Sequence, residues 1–188
     1  MNHKVTTQPT VEPITLAEAK THLRIIHDEE DNYIMGLISA ARKWCEYYQN
    51  RAYITQTITA KCDAFPLTFV LPMPPLVSVT SIQYIDTAGS TQTLSSSYYD
   101  VDTYAEPGRV TEAYSYSWPA TRIIDNAVTI TYVAGYGDPA DVPEHIKHAI
   151  KLMVSHFYEM REPVVENTTI TNVPMSVKSL LSATRNFR

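Results

Sequence analysis

"YVAGYGDPADVPEHIKHAI", residues 132–150, is where this sequence changes its period. Just before it, "AVTITYV" (127–133) is rich in β-branched residues at a strand period of two. After it, Ile146, Ala149, Ile150, Met153 and Phe157 recur at helical spacing. Between the two patterns, Gly135 and Gly137 permit a turn and Asp138-Pro139 extends it, while Pro143 and Glu144 suit a first helical turn. The stretch therefore predicts a strand handing over to a helix. Its competitors fail on chemistry. "VAGYG" is like an ion-filter sequence, but a filter needs membrane helices around it. The longest mostly apolar run, "FVLPMPPLV" (69–77), is broken by three prolines and is too short to span a bilayer. A phosphate loop would need a lysine after the glycines, and the dinucleotide-binding spacing is absent.

Working outward, "PITLAEAKTHLRI" (13–25) opens a helix. Thr15 is placed to cap it, Glu18 to complete a capping box, and Leu16, Ala19, Leu23 and Ile26 to form its apolar stripe. "HDEEDNYIMGLISAARKWCEYY" (27–48) restarts the pattern, with Asp28 as cap and Glu29 to Asp31 at the positive helix end. Leu37, Ile38, Ala41 and Cys45 or Trp44 supply its buried stripe. That acidic run lacks the alternating ligands and central glycine of a calcium loop. From Tyr53 the period is two: "YITQTITAK", "LTFVL" and "LVSVTSIQYID" read as strands, with turns such as "DTAG" between them. Pro163 disfavours a helical Glu162, which ends the last long helix before "REPVV". The prediction is an α+β fold. Helices at about 15–50 and 142–160 pack together, because neither can bury its stripe alone. A mainly antiparallel β insertion at about 53–135 lies between them, in a single domain of residues 1–162. Residues 163–188 form an extended C-terminal arm: a polar, mobile "ENTTITNVP", then the amphipathic "MSVKSLLSATRNFR".

Composition and charge narrow the function. The 188 residues are 44% hydrophobic and 19% charged, as in an ordinary globular protein. No signal-peptide pattern opens the chain, and Cys45 and Cys62 are too few for a disulfide scaffold or a four-cysteine zinc site, so an intracellular site of synthesis is expected. The net charge is −5, but after Glu166 there are only Lys178, Arg185 and Arg188, so the tail carries +3 and the remainder −8. Such a body repels duplex phosphate, which argues against a dedicated DNA binder but not against a protein past which DNA slides.

Two residue groups invite a site. "AYSYSWPA" (113–120) places Tyr114, Tyr116 and Trp118 on one side of an extended segment. This is a platform on which single-stranded bases could stack, yet with only Arg109 and Arg122 nearby a packed or protein-contacting face is expected. On the last long helix His145, His148, His156 and Glu159 fall within roughly 80° of one another, a ligand class suited to zinc or iron. His148 and His156 are two turns apart, however, where metal-binding pairs sit one turn apart, and all four border the apolar stripe. They read as boundary side chains; a metal-dependent enzyme using His145, His148 and His156 is the alternative. No serine stands in a nucleophile elbow and no carboxylate pair is marked out, so neither catalysis nor a cofactor is expected.

The ordered set "PITLAEAKTHLRI", "LISAARKWCEYYQNRAYITQT", "LPMPPLVSVTSIQYIDTAG", "VTITYVAGYG", "VPEHIKHAIKLMVSHFYEMRE" and "VPMSVKSLLSATRNFR" resembles the head–tail connector (adaptor, or head-completion) proteins of long-tailed bacteriophages and prophages. The last segment departs from the pattern, which has a glycine near Ser176 and a proline near Ala183. The resemblance implies a non-catalytic virion protein at the head–tail junction, assembled in the host bacterial cytoplasm. It implies a ring, commonly twelve-fold, beneath the portal protein, docking the next head-completion or tail-terminator component, with DNA passing through and no membrane involved. A DNA-packaging or DNA-binding accessory is the competing reading. Expected protein contacts are Tyr114, Tyr116 and Trp118, and on the arm Met175, Val177, Lys178, Leu180, Leu181, Arg185 and Arg188. The arm's apolar side is expected to dock on a neighbouring subunit or the portal.

Overall fold

The computed structural model describes residues 1–160 and 174–186. The chain groups into two compact units, one of strands (Met1–Pro9 and Thr55–Tyr136) and one of helices (Thr10–Ile54 and Gly137–Arg188). The predicted polar stretch 166–173, the helix stop at Glu162-Pro163 and Arg188 lie outside the described residues. No helix among those described is long and apolar enough to cross a membrane.

The strand unit holds β1 (Asn2–Thr7), β2 (Gln56–Cys62), β3 (Thr68–Val70), β4 (Leu76–Ile85), β5 (Thr91–Leu94), β6 (Tyr99–Asp102), β7 (Arg109–Glu112) and β8 (Val128–Ala134). They form a five-stranded sheet in the order β1-β2-β8-β4-β5 and a three-stranded sheet in the order β3-β7-β6. Every pairing is antiparallel, as the short turns predict. Alternation does the sorting: Ile58 and Ala60 on β2, and Val128, Ile130, Tyr132 and Ala134 on β8, are buried, while the residues between them are not. Tyr132 reaches the interior with its hydroxyl satisfied, donating to the Pro72 carbonyl at 2.7 Å. Strand β1 has no counterpart in the sequence reading. Its "NHKVTT" offers a single large apolar side chain and no alternation, and it is held by backbone pairing such as Asn2 with Lys61 and Lys4 with Thr59.

The helical unit holds α1 (Leu16–Leu23), α2 (Asp31–Gln49), α3 (Glu144–Glu159) and α4 (Met175–Ser182). The α1 capping box is formed. The Glu18 amide donates to Thr15 Oγ1 at 3.2 Å, and the Thr15 amide to Glu18 Oε2 at 2.8 Å. That donation, more than the added Lys151 contact, holds the Glu18 carboxyl below its ordinary value against partial desolvation. The predicted stripe overreached at Ile26, which is 96% exposed, because α1 stops at Leu23 and Arg24 turns left-handed at φ 60°. Nor does Asp28 cap α2 with its side chain: the N-cap is Glu30, and Asp28 joins Asp31 in gripping Lys20 Nζ, at 2.6 and 2.7 Å.

Helices α1, α2 and α3 pack on one another through Ala19, Ile34, Ile38, Ala41, Ile146, Ala149 and Met153, all buried. Burying such stripes is worth roughly 1.5–3 kcal/mol for each large side chain. A buried ion cluster sits beside them. Arg42 Nε donates to Glu12 Oε2 at 2.7 Å and Nη1 to Glu46 Oε2 at 2.8 Å. Burial alone would lower the Arg42 pKa, but the two carboxylates outweigh it and push it up. Cys45 behaves as a small core hydrophobe, its thiol pushed up to about 12 by burial and by Glu46. At the hand-over from β8, Gly137 has φ 130°, and a Cβ there would meet Asp141 Oδ2 at 2.5 Å. Only glycine lets the Asp138–Asp141 turn close before α3.

Candidate protein-interaction surfaces

Two surface regions carry the residues expected to make contacts, one in each unit. The first is the C-terminal segment. Met175 is 86% exposed and Lys178 is exposed, whereas Val177 and Leu181 are fully buried and Leu180 half-buried. The expectation that this apolar side waits for a neighbouring subunit is corrected here. It packs on the chain's own helical unit, against α3 and α2. A polar hub seals the contact. Gln49 Nε2 donates to the Leu181 carbonyl and to Thr184 Oγ1, both at 2.7 Å, while Gln49 Oε1 accepts from the Tyr53 hydroxyl at 2.6 Å. The Asn186 amide donates to the Gln49 carbonyl at 3.0 Å, and Arg51 Nε to the Thr184 carbonyl at 2.6 Å. Arg185 lies 4.4 Å over the Tyr48 ring, which in turn stacks on Trp44 at 5.3 Å.

Sequence reasoning missed Gln49, Arg51, Tyr53 and Thr184. The one available signal was that Gln49 continues the Ile38, Ala41, Cys45 stripe by one more turn. A polar residue on a buried stripe needs a partner, and that partner is remote in the chain.

The second region is one end of the three-stranded sheet. The register sets Thr68 against Thr111 and Tyr99 against Glu112, so the start of β3, the end of β7 and the start of β6 share that end. There Leu67 is 85% exposed and Tyr114 95% exposed, and Tyr98 stacks on Tyr116 at 4.6 Å. The expected extended run is corrected: β7 stops at Glu112, Ser115 has φ 67°, and the Tyr116 amide donates to the Ala113 carbonyl at 3.0 Å. This turn separates the three aromatics. Tyr114 and Tyr116 face outward, while Trp118 turns in, stacked on Phe65 at 4.9 Å and edge-on to Phe69 at 5.5 Å. Trp118 is thus packing, its amide held by Glu112 Oε1 at 2.6 Å. Leu67 and Tyr98 were not foreseen, because only strand register brings them beside Tyr114.

The histidines do not converge. His145 Nε2 lies 3.4 Å from Thr184 Oγ1, His148 meets the His22 ring edge-on at 6.3 Å, and His156 lies against Phe157 at 6.0 Å. Among the described residues no group of three or more His, Cys, Asp or Glu is placed to hold a metal ion. Desolvation, then the proximity of His148 and Lys151, pushes the His22 pKa down.

The fold corresponds to that of chains in solved gene transfer agent particles. The neck of an empty gene transfer agent (GTA) particle, computed with C6 symmetry, contains a chain matching at TM-score 0.82 and 22% identity, covering 100% of this chain and 97% of that one. The virion of a native gene transfer agent particle matches at TM-score 0.80 and 21% identity, and the neck of a native GTA particle computed with C12 symmetry at 0.79 and 20%, with the same coverage. No curated relative matches the sequence significantly. A family model described as "head completion protein" matches residues 12–187. Matched over nearly its whole length, this chain belongs to the head completion protein family, structural components of the virion head–tail junction.

Proposed function

We propose that the chain is an adaptor that assembles as a twelve-fold ring beneath the portal, carries the next head-completion or tail-terminator component, and lets DNA pass without sequence-specific binding. The observation that carries this reading is the whole-chain correspondence, at TM-score 0.82, to a neck component of a GTA particle. Neck structures computed with C6 and C12 symmetry support the ring. A cyclic ring needs two different contact surfaces on each subunit, since a head-to-tail contact never pairs a patch with itself. The aromatic end of the strand unit and the C-terminal segment are two such surfaces. Exposed tyrosines gathered at one place are usual anchors of protein contacts, and Leu67 adds exposed apolar area at the same end of the sheet. Met175 and Lys178, both exposed, give the C-terminal segment a partly apolar, basic exterior suited to an acidic partner. The role is structural, and the dispersed histidines favour it over a metal-dependent reaction.

Truncation after Glu162 tests both the arm and the reading of residues 1–162 as a self-sufficient domain. Because Val177 and Leu181 are buried, the truncated protein is expected to melt earlier as well as fail to join portal-bearing heads. Met175→Ser with Lys178→Glu removes only exposed groups and separates the two effects. Unchanged melting with lost joining supports a docking role, whereas unchanged joining rules it out.

A further inference from the structure

In a protein with 20 acidic residues, none of the five strands of the larger sheet contains Asp or Glu. Most of the side chains on their outward face are hydrogen-bond donors, with the apolar Val133 and Ile85 among them. One row crosses all five strands in register, from Asn2 to Lys61, Thr129, Gln83 and Thr93. The next runs from Lys4 through Thr59 and Thr131 to Ser81. The buried residues of β2 and β8 alternate with these, so the rows belong to the face turned away from the core. Lys4, Lys61, Gln83 and Thr93 are exposed, and a 520 Å³ surface depression runs between Lys4, Lys61, Thr6, Thr59 and Asn126.

We infer that this outward sheet face is the surface the chain turns toward duplex DNA, meeting phosphates through Lys4, Lys61 and the hydroxyl and amide rows. The inference rests on the adaptor reading above and adds which face meets the DNA. Side chains of this type, Lys with Ser, Thr, Asn and Gln, are those that contact phosphate without reading sequence. Carboxylates, which repel phosphate, are absent from the strands that build the face. Two ammonium groups per chain release few counterions, so each subunit contributes a shallow, salt-sensitive attraction that leaves DNA free to slide. The hydroxyl rows exchange phosphate for water at little cost, which suits passage better than retention.

Photo-crosslinking in DNA-filled particles tests this. The photoreactive residue p-benzoylphenylalanine is placed at Gln83 or Thr93 on the face, and at Ile26 or Tyr104, 96% and 99% exposed, as controls. Protein–DNA adducts are expected from Gln83 and Thr93 and not from the controls. Lys4→Glu with Lys61→Glu should cut the Gln83 adduct several-fold while the amount of the protein per particle stays the same. If the protein is present in full amount but adducts form from Ile26 or Tyr104 instead, or from no position, the inference falls and the adaptor reading stands. If the protein is absent from purified particles, both fall.

Discussion

The Gln49 side-chain amide donates to the Leu181 backbone carbonyl at 2.7 Å, joining residues 132 positions apart inside the helical unit. One amide satisfies three groups there, since Thr184 Oγ1 and the Tyr53 hydroxyl share it. Removing it takes a partner from each of these groups, and a buried polar group left unsatisfied costs about 1–3 kcal/mol. Gln49→Ala is therefore expected to lower thermal stability by several degrees. Gln49→Glu, of nearly equal volume, should do at least as much harm, because a carboxylate cannot donate to the Leu181 carbonyl. Calorimetry of the two variants decides; a Gln49→Glu protein that melts like the parent would show that the hub is not holding the C-terminal segment.

The Glu12–Arg42–Glu46 cluster gives a second expectation. Arg42 is 2% exposed and separates two carboxylates. Arg42→Leu takes the cation from both, although Glu46 Oε1 keeps the Tyr53 amide at 2.8 Å, and breaking a buried pair in this way costs about 3–5 kcal/mol. Arg42→Leu combined with Glu46→Gln should recover part of that loss, because the buried charge goes while an oxygen stays for the Tyr53 amide. Denaturant midpoints of the single and double variants measure the coupling. A double variant less stable than Arg42→Leu alone would contradict this account.

The His22 site sets a pH dependence. Glu18, His148 and Lys151 line the same depression as His22. The folded-state pKa of His22 is lowered, by desolvation first and then by His148 and Lys151, so the unfolded chain binds this proton more readily. Stability must then rise with pH wherever the unfolded state holds more protons. The contribution is fully present above the unfolded value of about 6.5 and is lost as pH falls below it, levelling off under the folded pKa. Glu18 titrates on the acid side of this window, its own pKa being lowered. Melting temperatures at pH 7.5 and 5.5 should differ for the parent and differ less for His22→Gln. Equal slopes in the two proteins would remove His22 from the explanation.

What could be read from the sequence was whatever rests on short spacing. Thr15 and Glu18 are three residues apart, and the apolar stripes of α2 and α3 and the turn at Gly135 and Gly137 announce themselves within a few positions. The readings that failed needed information from elsewhere in the chain. Strand β1 is a strand because β2 pairs with it, not because of its own side chains. Asp28 left its capping role for Lys20, eight positions back, and Ile26 lost its burial when Arg24 ended the helix. The C-terminal segment looked like an arm because its amphipathic pattern does not say which groove fills it. Gln49, far away in sequence, decides that.

The aromatic end of the three-stranded sheet separates surface from core within one short run. Tyr114 is 95% exposed and Leu67 85% exposed, so replacing both by Ser removes almost no buried area and should change stability by no more than about 0.5 kcal/mol. Trp118 is half-buried, stacked on Phe65 and packed on Phe69, so Trp118→Ala removes real packing and should cost up to about 3 kcal/mol. The two variants should behave oppositely in assembly tests run below the melting temperature of either. Tyr114→Ser with Leu67→Ser is expected to fold like the parent but form fewer rings or join fewer heads, since exposed anchors act on a partner. Trp118→Ala is expected to melt early yet assemble in proportion to its folded fraction. Native mass measurement of ring content, beside a melting curve for each variant, gives both readouts. If the surface variant assembles as well as the parent, this end of the sheet is solvent-facing decoration, and the ring contact belongs to another surface of the chain.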